Sequence, residues 1–152
     1  SHPSKARKIC ESLALKIRNK IKEIDLILSP AMGGIIIGYE IGKLLNLQTI
    51  FAERVNNEFK LRRDFSIKKS SKVLIVEDVI TTGKSSLECK KLVEFYKANV
   101  VGFACIIDRS GGKSKINEIV SQISIDIPTY KESEIPNDLK KIKAVKPGSR
   151  NI

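Results

Sequence analysis

Apolar residues follow two kinds of spacing along this chain, and each kind predicts its own elements. Leu13 and Ile17 belong to a set that recurs at helical spacing, which predicts an amphipathic helix over residues 4–23. The same spacing predicts further helices over residues 34–46 and 85–98. Short segments between these helices predict strands, the most apolar of them suited to burial on both faces: 25–28, 48–54, 73–76 and 100–107.

Residues 55–67 predict a mobile, hairpin-like loop. An Asn-Asn pair forms a turn signal, and apolar residues alternate with polar ones after it. The loop carries Lys60, Arg62 and Arg63, which we expect to close over an anionic leaving group and neutralise its developing charge. The alternative is a basic strand whose cations are simply solvated.

The C-terminal part of the chain has weaker patterns. The apolar spacing within Ile116–Ile123 predicts one more short helix, and residues 124–127 predict an edge strand that Pro128 stops. From Tyr130 the chain is polar and interrupted by proline, so we expect an extension that wraps the surface.

Strands that alternate with helices predict an α/β fold, with a mostly parallel central sheet flanked by helices. A length of 152 residues suits one domain with a buried core. We therefore expect a single domain over residues 1–152, with ligands bound beyond the carboxyl ends of the strands.

The stretch Val73–Ser86 joins a predicted strand to a predicted helix and carries the candidate chemistry. Glu77 and Asp78 follow the apolar run. Adjacent carboxylates can accept hydrogen bonds from a vicinal diol, such as the hydroxyls of a ribose, or face a hydrated Mg²⁺. Thr81–Ser85 then offer hydroxyls and free backbone N–H groups at a helix N-terminus, where a phosphate is favoured. Together these features indicate a ribose 5-phosphate as the ligand.

The same stretch has two other interpretations. The acids could be solvated at a strand end, with Ser85 as an ordinary helix N-cap. A nucleotide-binding P-loop is excluded, because it needs a glycine five residues before its Gly-Lys pair, and Asp78 occupies that position.

The chain is strongly basic, with a formal net charge of +11 and a pI near 9.7. Its Lys and Arg residues are scattered over every segment, and aromatic residues make up only 5%, so platforms for stacking single-stranded bases are scarce. The charge therefore indicates a general preference for anions and no specific nucleic-acid partner, with weak binding to nucleic acid at low salt.

Cysteine and histidine usage narrows the chemistry further. Cys10, Cys89 and Cys105 each lie within an apolar pattern, which predicts buried, reduced thiols and a cytoplasmic protein, rather than a disulfide or a metal site. His2 is the sole histidine and lies in a start that resembles a tag remnant, so histidine catalysis and ligation are not expected. The most apolar run, 31–38, is far too short to cross a membrane.

Residues 76–85, Val-Glu-Asp-Val-Ile-Thr-Thr-Gly-Lys-Ser, resemble the phosphoribosyl pyrophosphate (PRPP) motif of type I phosphoribosyltransferases. Within that family, the residues of this segment are most similar to those of orotate phosphoribosyltransferases. Further segments resemble that family in the same order over nearly the whole chain: Ser29–Ile35, Phe51–Arg54, Leu61–Arg63, Ile107–Gly112, Asp126–Tyr130 and Ala144–Arg150.

The resemblance implies a Rossmann-like type I phosphoribosyltransferase fold and a reaction between PRPP and orotate. The products would be orotidine 5′-monophosphate and pyrophosphate, a step of pyrimidine (UMP) biosynthesis. Mg²⁺ is the implied cofactor, held mainly by the substrate and with no metal site made by the protein alone, and the implied assembly is a homodimer with shared active sites. Two alternatives stay open, namely a purine or uracil phosphoribosyltransferase, or a non-catalytic PRPP-binding regulator of nucleic acid.

The same resemblance assigns roles to individual residues. It implies a PRPP-binding set of Arg54, Glu77, Asp78, Val79, Ile80, Thr81, Thr82, Gly83, Lys84 and Ser85. It implies a pyrophosphate loop of Ala31, Met32 and Gly33, and orotate contacts from Thr81 and Arg109. The implied catalytic residues are Arg54, Lys60, Arg62 and Asp78.

The chain departs from the family pattern in three places. Gly33 stands where many relatives carry a lysine, so a direct charge contact from that loop is absent. The predicted hairpin lacks the histidine that similar loops commonly carry beside a lysine. The family also has an upstream segment that helps to cover the base, and this chain begins inside what resembles the following helix, so we expect residues 1–152 to lack that segment.

Overall fold

A computed structural model describes residues 2–128, 130–143 and 145. Its helices are α1 (Pro3–Lys20), α2 (Gly33–Leu45), α3 (Lys84–Phe95) and the short α4 (Asn137–Lys140). Its strands are β1 (Leu26–Pro30), β2 (Gln48–Val55), β3 (Glu58–Leu61), β4 (Lys72–Ile80), β5 (Asn99–Asp108) and β6 (Val120–Ser124). The long helices and the strands predicted from residue 4 to residue 107 are therefore confirmed, with ends shifted by a few residues.

The strands form one six-stranded sheet in the order β3-β2-β1-β4-β5-β6. Neighbouring strands are parallel except for β2 and β3, which confirms the mostly parallel sheet. The chain moves outwards from β1 to β2 and then returns to the other side of β1 to form β4. In open α/β sheets, ligands bind at the carboxyl ends of the strands where the order reverses in this way.

Strand β4 lies in the middle of the core. Its residues from Val73 to Val76 are fully buried, as their continuous apolar run predicts. Ile75 belongs to the apolar cluster on the α3 face, whereas Leu74 belongs to the cluster on the face covered by α1 and α2. Successive strand residues point to opposite faces of the sheet, so the later residues of β4 also point alternately towards these two clusters.

The predicted hairpin exists but is shorter than the sequence indicates. Asn56 and Asn57 have φ angles of 51° and 65° and connect β2 to β3, as expected for a two-residue turn that needs left-handed backbone. Strand β3 ends at Leu61, and the residues that follow lead back to β4 without a regular element.

The prediction of a short helix within Ile116–Ile123, followed by a strand over 124–127, is wrong. Residues 111–119 form turns and loops, and Val120–Ser124 form β6, which pairs in parallel with β5. Ile116 packs against Ile80 at the end of β4, whereas Val120 packs under α1. The helical spacing of these residues thus arises from two separate contacts with the core and not from one face of a helix. A single sequence does not distinguish these two cases.

The predicted burial of the cysteines is confirmed, because Cys10, Cys89 and Cys105 are all buried, and each is a free thiol. Burial raises the pKa of the Cys105 thiol to about 12 and also raises those of Cys10 and Cys89, so these thiols stay protonated at neutral pH. In the part of the chain that the structure describes, none of the helices is long and apolar enough for a bilayer crossing.

Candidate active site

A cleft of about 810 Å³ lies at the carboxyl edge of the sheet. Its lining consists of residues 77–85, which run from the end of β4 to the start of α3, together with Arg54 and Asn57. Ten of these eleven residues are the PRPP-binding set implied by the resemblance, and the structure brings them to one cavity. The loop 31–33 and Arg109 are outside that lining.

The turn between β4 and α3 is built around Gly83. Gly83 has a φ of 74°, a left-handed conformation that favours glycine, and a Cβ there would lie 2.8 Å from Ser114 Oγ and 2.9 Å from Ile116 Cδ1. The Lys84 N–H donates to Thr82 Oγ1 at 3.3 Å, and the Leu87 N–H donates to the Gly83 carbonyl at 2.9 Å, which starts the helix. The turn therefore presents backbone amides and the positive end of α3 to the cleft.

The two adjacent acids have different environments, because β4 continues through both of them. Glu77 faces α3, is only 8% exposed and accepts a hydrogen bond from the Ser86 hydroxyl. Burial raises the pKa of Glu77, and the Ser86 hydrogen bond opposes that rise. Asp78 faces α2 and is exposed. Of these two acids, Asp78 is therefore the one with an exposed carboxylate in the cleft.

The loop between β1 and α2 lies against Asp78. The Ala31 N–H donates to the Ala52 carbonyl at 2.8 Å, which ties the loop to β2, and the Ala31–Met32 peptide bond is cis. Met32 is 79% exposed. A Cβ on Gly33 would lie 2.8 Å from Asp78 Cγ, so the absence of a side chain at Gly33 makes room for the Asp78 carboxylate.

Arg54 is the cation that the hairpin contributes to the cleft. Its Nη1 donates to the Asn57 carbonyl at 2.8 Å, and its Nη2 donates to the Glu88 carboxylate. The guanidinium also lies over the Phe59 ring, 4.2 Å from the ring centroid. Three contacts thus hold this side chain at the wall of the cleft.

The other predicted loop cations lie outside the cleft lining in this conformation. Arg63 Nη2 donates to Glu53 Oε1 at 3.0 Å, and Arg62 Nη1 lies 3.9 Å from Glu53 Oε2. Lys60 Nζ lies 4.0 Å from the Glu58 carboxylate. The Arg63 hydrogen bond lowers the pKa of Glu53, and the charges of both arginines lower it further.

The residues implied for orotate binding adjoin the same turn. Thr81 lines the cleft, and the Arg109 N–H donates to the Ile80 carbonyl at 2.8 Å, which places Arg109 beside the end of β4. Asp108 Oδ1 accepts the Ser110 N–H at 2.8 Å, and the Arg109 side chain is exposed. The C-terminal motif 146–150, on which the resemblance to the orotate enzymes also depends, lies outside the described residues.

Sequence reasoning missed three residues of this region. Asn57 was predicted only as a turn residue, and Ser86 only as the start of a helix. Glu88 carried a weak signal, since it lies four residues after Lys84 on the same helix. Its pairing with Arg54, 34 residues away, has no signal in a single sequence.

Comparisons with known proteins agree with this geometry. Residues 2–138 match the family described as the phosphoribosyl transferase domain. A relative from Parvibaculum lavamentivorans, named orotate phosphoribosyltransferase, is 44% identical over 99% of this chain and 79% of its own length. A relative of the same name from a Methylobacterium species is 45% identical over 99% of this chain and 78% of its own.

Solved structures support the fold. Adenine phosphoribosyltransferase from Thermoanaerobacter pseudethanolicus superimposes with a TM-score of 0.70 over 82% of this chain and 83% of its own. It is only 19% identical in sequence, so this likeness concerns the fold alone. With the family match over residues 2–138 and the relatives above 40% identity, the chain belongs to the phosphoribosyltransferase family, among the orotate phosphoribosyltransferases.

Proposed function

We propose that this chain transfers the ribosyl 5-phosphate of PRPP to N1 of orotate, with release of pyrophosphate and formation of orotidine 5′-monophosphate. The main support for the proposal is the cleft lined by residues 77–85, in which an exposed acid lies next to a turn suited to binding phosphate. The names of the relatives, at 44% and 45% identity, support orotate as the acceptor.

The reaction needs no nucleophilic side chain. As the bond from C1 of the ribose to pyrophosphate breaks, positive charge develops at C1 and negative charge on the leaving group. The protein then has to hold the two reactants in line and stabilise both charges. A cleft with one exposed carboxylate beside the N-terminal end of α3 supports that division of work.

The turn Thr81–Ser85 would bind the 5-phosphate of PRPP with its amides and hydroxyls. Asp78 would accept hydrogen bonds from the ribose hydroxyls. Glu77 is mostly buried, so it would contact the ribose only with the part of its carboxylate that reaches the cleft. Val79, Ile80, Gly83 and Lys84 complete this wall, and Arg54 closes the opposite one.

Mg²⁺ fits this site as a partner of the substrate. The exposed Asp78 carboxylate in the cleft is a hard oxygen ligand of the kind that Mg²⁺ prefers, whereas Glu77 is engaged with Ser86. Asp78 would therefore hold the ion together with oxygens of PRPP. When bound, the ion supplies charge neutralisation for the pyrophosphate group.

Orotate would bind next to the same turn. Arg109 has a planar guanidinium suited to the carboxylate of orotate, and its backbone is fixed to the end of β4. Thr81 offers a hydroxyl from the cleft side. Replacement of Arg109 by lysine would keep the charge but remove the planar fork.

The remaining family contacts with pyrophosphate are also part of the proposal. Ala31, Met32 and Gly33 would meet it through backbone N–H groups, because the loop carries no cation. Lys60 and Arg62 would reach it after the hairpin moves, since Arg62 now lies near Glu53. Such loop closure would exclude water and neutralise the leaving group.

A homodimer is proposed as the working assembly. Met32, Ile36 and Tyr39 are exposed by 79%, 73% and 66%. Met32 directly precedes α2, and the spacing of the three residues places them along one side of the helix and its N-terminal end. A second copy of the chain would cover this apolar stripe and bring its hairpin near the cleft. Sedimentation of wild type and Ile36→Glu tests the assembly, and a monomeric wild type would contradict it.

A pyrophosphate-release assay tests the reaction directly. Purified protein is incubated with PRPP and Mg²⁺, and with orotate, uracil or a purine base in separate samples. Release with orotate alone is the expected result, whereas release with another base, or with none, would overturn the proposal. Repeating the assay on a chain extended upstream, with the base-covering segment that the resemblance implies, tests whether residues 1–152 hold orotate unaided.

A further inference from the structure

Glu88 lies behind the cleft and is absent from the set of residues that line it. It stands on α3, one turn after Lys84, and its side chain is 27% exposed. One of its carboxylate oxygens accepts the hydrogen bond from Arg54 Nη2, and the other lies 4.0 Å from Lys84 Nζ. A single carboxylate therefore contacts both cations of the cleft lining.

The contact with Glu88 completes the fixation of Arg54. An arginine side chain is long and flexible, and here one Nη is directed to the Asn57 carbonyl and the other to Glu88, while Phe59 lies beneath the guanidinium plane. Arginine has five N–H donors, so those not used in these contacts stay available to an anion in the cleft. Without Glu88, the guanidinium would rotate about the remaining contacts.

The ion pair joins two elements that are distant in sequence. Arg54 lies next to the last residue of β2 and lines the cleft, whereas Glu88 is on α3, whose first turn lines the part of the cleft proposed to bind phosphate. The distance between the two walls is therefore set in part by this pair. The exposed ion pair Lys90–Glu94 on the same helix includes no residue of the cleft lining and serves as a comparison.

We propose that Glu88 is a positioning residue, which orients Arg54 towards the phosphate groups of PRPP. The inference rests on the proposed function, since it names a role within the same site. Glu88 touches no substrate in this scheme and acts only through Arg54. Its removal should therefore weaken PRPP binding and leave orotate binding unchanged.

The test is a set of variants: Glu88→Gln, Glu88→Asp, Arg54→Ala, the double variant Arg54→Ala with Glu88→Gln, and the control Glu94→Gln. Calorimetry measures the Kd for PRPP with Mg²⁺ in the absence of orotate, and steady-state assays measure KM for each substrate. Glu88→Gln should raise the Kd and the KM for PRPP about tenfold, with the KM for orotate unchanged. Glu88→Asp, which keeps the charge, should recover part of that loss.

Non-additivity separates positioning from general stability. If Glu88 acts through Arg54, the double variant binds PRPP little worse than Arg54→Ala alone. Glu94→Gln should keep the PRPP affinity of the wild type, because its pair with Lys90 lies outside the cleft lining. Wild-type affinity in Glu88→Gln, or additive losses in the double variant, would overturn the proposal.

The same experiments distinguish a failure of the proposed reaction from a failure of the proposed role of Glu88. Wild-type protein that binds PRPP but releases no pyrophosphate with orotate would remove the proposed reaction, and the calorimetry would still decide the role of Glu88. Wild-type protein that fails to bind PRPP would overturn both. Normal turnover with an unaffected Glu88→Gln would overturn only the positioning role.

Discussion

The Ser86 hydroxyl donates a hydrogen bond to the buried carboxylate of Glu77 and so joins the end of β4 to the first turn of α3. The two residues flank the turn that is proposed to bind phosphate, one before it and one after it. Burial of a carboxyl group disfavours its charged form, and here it raises the pKa of Glu77 despite the hydrogen bond. The buried carboxylate of Glu77 therefore lowers the free energy of unfolding at neutral pH.

Replacement of Glu77 by glutamine should reveal that effect. A raised native pKa means that the folded chain retains a proton that the unfolded chain has lost, so the free energy of unfolding falls as pH rises from the unfolded value, about 4.3, through the native pKa. Glutamine can still accept the Ser86 hydrogen bond but does not titrate. Urea unfolding should therefore show a smaller decrease between pH 4 and pH 7 for Glu77→Gln than for wild type.

The control for this prediction is Glu94→Gln, which removes an exposed carboxylate from the outer side of α3. The free energy of unfolding of this control should stay within about 0.5 kcal/mol of that of wild type. If Glu77→Gln showed the same decrease between pH 4 and pH 7 as wild type, then burial would not disfavour the charged form of Glu77. The affinity for PRPP should be lower in Glu77→Gln than in wild type, as expected for a residue that contributes to binding and lowers stability.

Asp78→Asn should lower kcat/KM for PRPP by roughly tenfold or more, equivalent to at least ~1.4 kcal/mol of transition-state stabilisation. Asparagine has nearly the same shape but loses the negative charge that would hold the ribose hydroxyls and Mg²⁺. Because Asp78 is exposed, Tm should change little. Steady-state kinetics and thermal unfolding check both parts, with Asp138→Asn on α4 as the matched control, and an unchanged kcat/KM would remove Asp78 from the site.

Gly33→Ala should impair turnover without unfolding the protein. The new Cβ would lie 2.8 Å from Asp78 Cγ and 2.9 Å from Asp78 Oδ1, so the carboxylate would have to turn away from its present position. A side-chain end can move at small cost, and Gly33 starts a helix, so the free energy of unfolding should change by less than about 1 kcal/mol. The fall in kcat/KM should approach that of Asp78→Asn.

A double variant decides whether Gly33 acts through Asp78. If displacement of the carboxylate is the cause, Gly33→Ala adds little to the loss already produced by Asp78→Asn. Fully additive losses in kcat/KM would instead assign the effect of Gly33→Ala to the loop itself.

Glu53→Gln should loosen the end of the hairpin in a pH-dependent manner. Arg63 and Arg62 lower the pKa of Glu53, so the stabilisation from this pairing is present above the unfolded pKa and is lost as pH falls through the native one. Amide hydrogen exchange of residues 58–65 should be faster in the variant than in wild type at pH 7, and this ratio should approach one in acid. Global stability should change little, because such pairs contribute weakly.

Glu58→Gln is the matched control for that experiment, since Glu58 lies 4.0 Å from Lys60 on the same hairpin and its side chain is 78% exposed. It should leave the exchange rates near those of wild type. Equal rates in Glu53→Gln and wild type at pH 7 would mean that Glu53 does not restrain Arg62 and Arg63.

Several features could be predicted because they depend on neighbouring residues. The run from Val73 to Val76 predicts a buried strand, since a continuous apolar segment needs apolar cover on both faces. The pair Asn56-Asn57 predicts its turn, since few residues adopt left-handed backbone readily. The cleft lining at 77–85 is a continuous segment, so its chemistry is also visible in the sequence.

Only the tertiary structure decided the features that depend on distant residues. Strand β6 takes the place of a predicted helix because α1 and the edge of β5 lie beside Val120. The environments of Glu77 and Asp78 differ because β4 extends to Ile80 and directs the one towards α3 and the other towards α2. The partners of Arg54 and Arg63 follow from the folded hairpin.

The sequence by itself determined the class of fold and the chemistry at the end of β4, because local spacing and adjacent functional groups carry that information. The tertiary structure decided which acid is accessible, which cation enters the cleft and which residues hold it in place. These properties arise from contacts between segments tens of residues apart, and the solvent exposure and electrostatic environment of a side chain exist only once those contacts have formed.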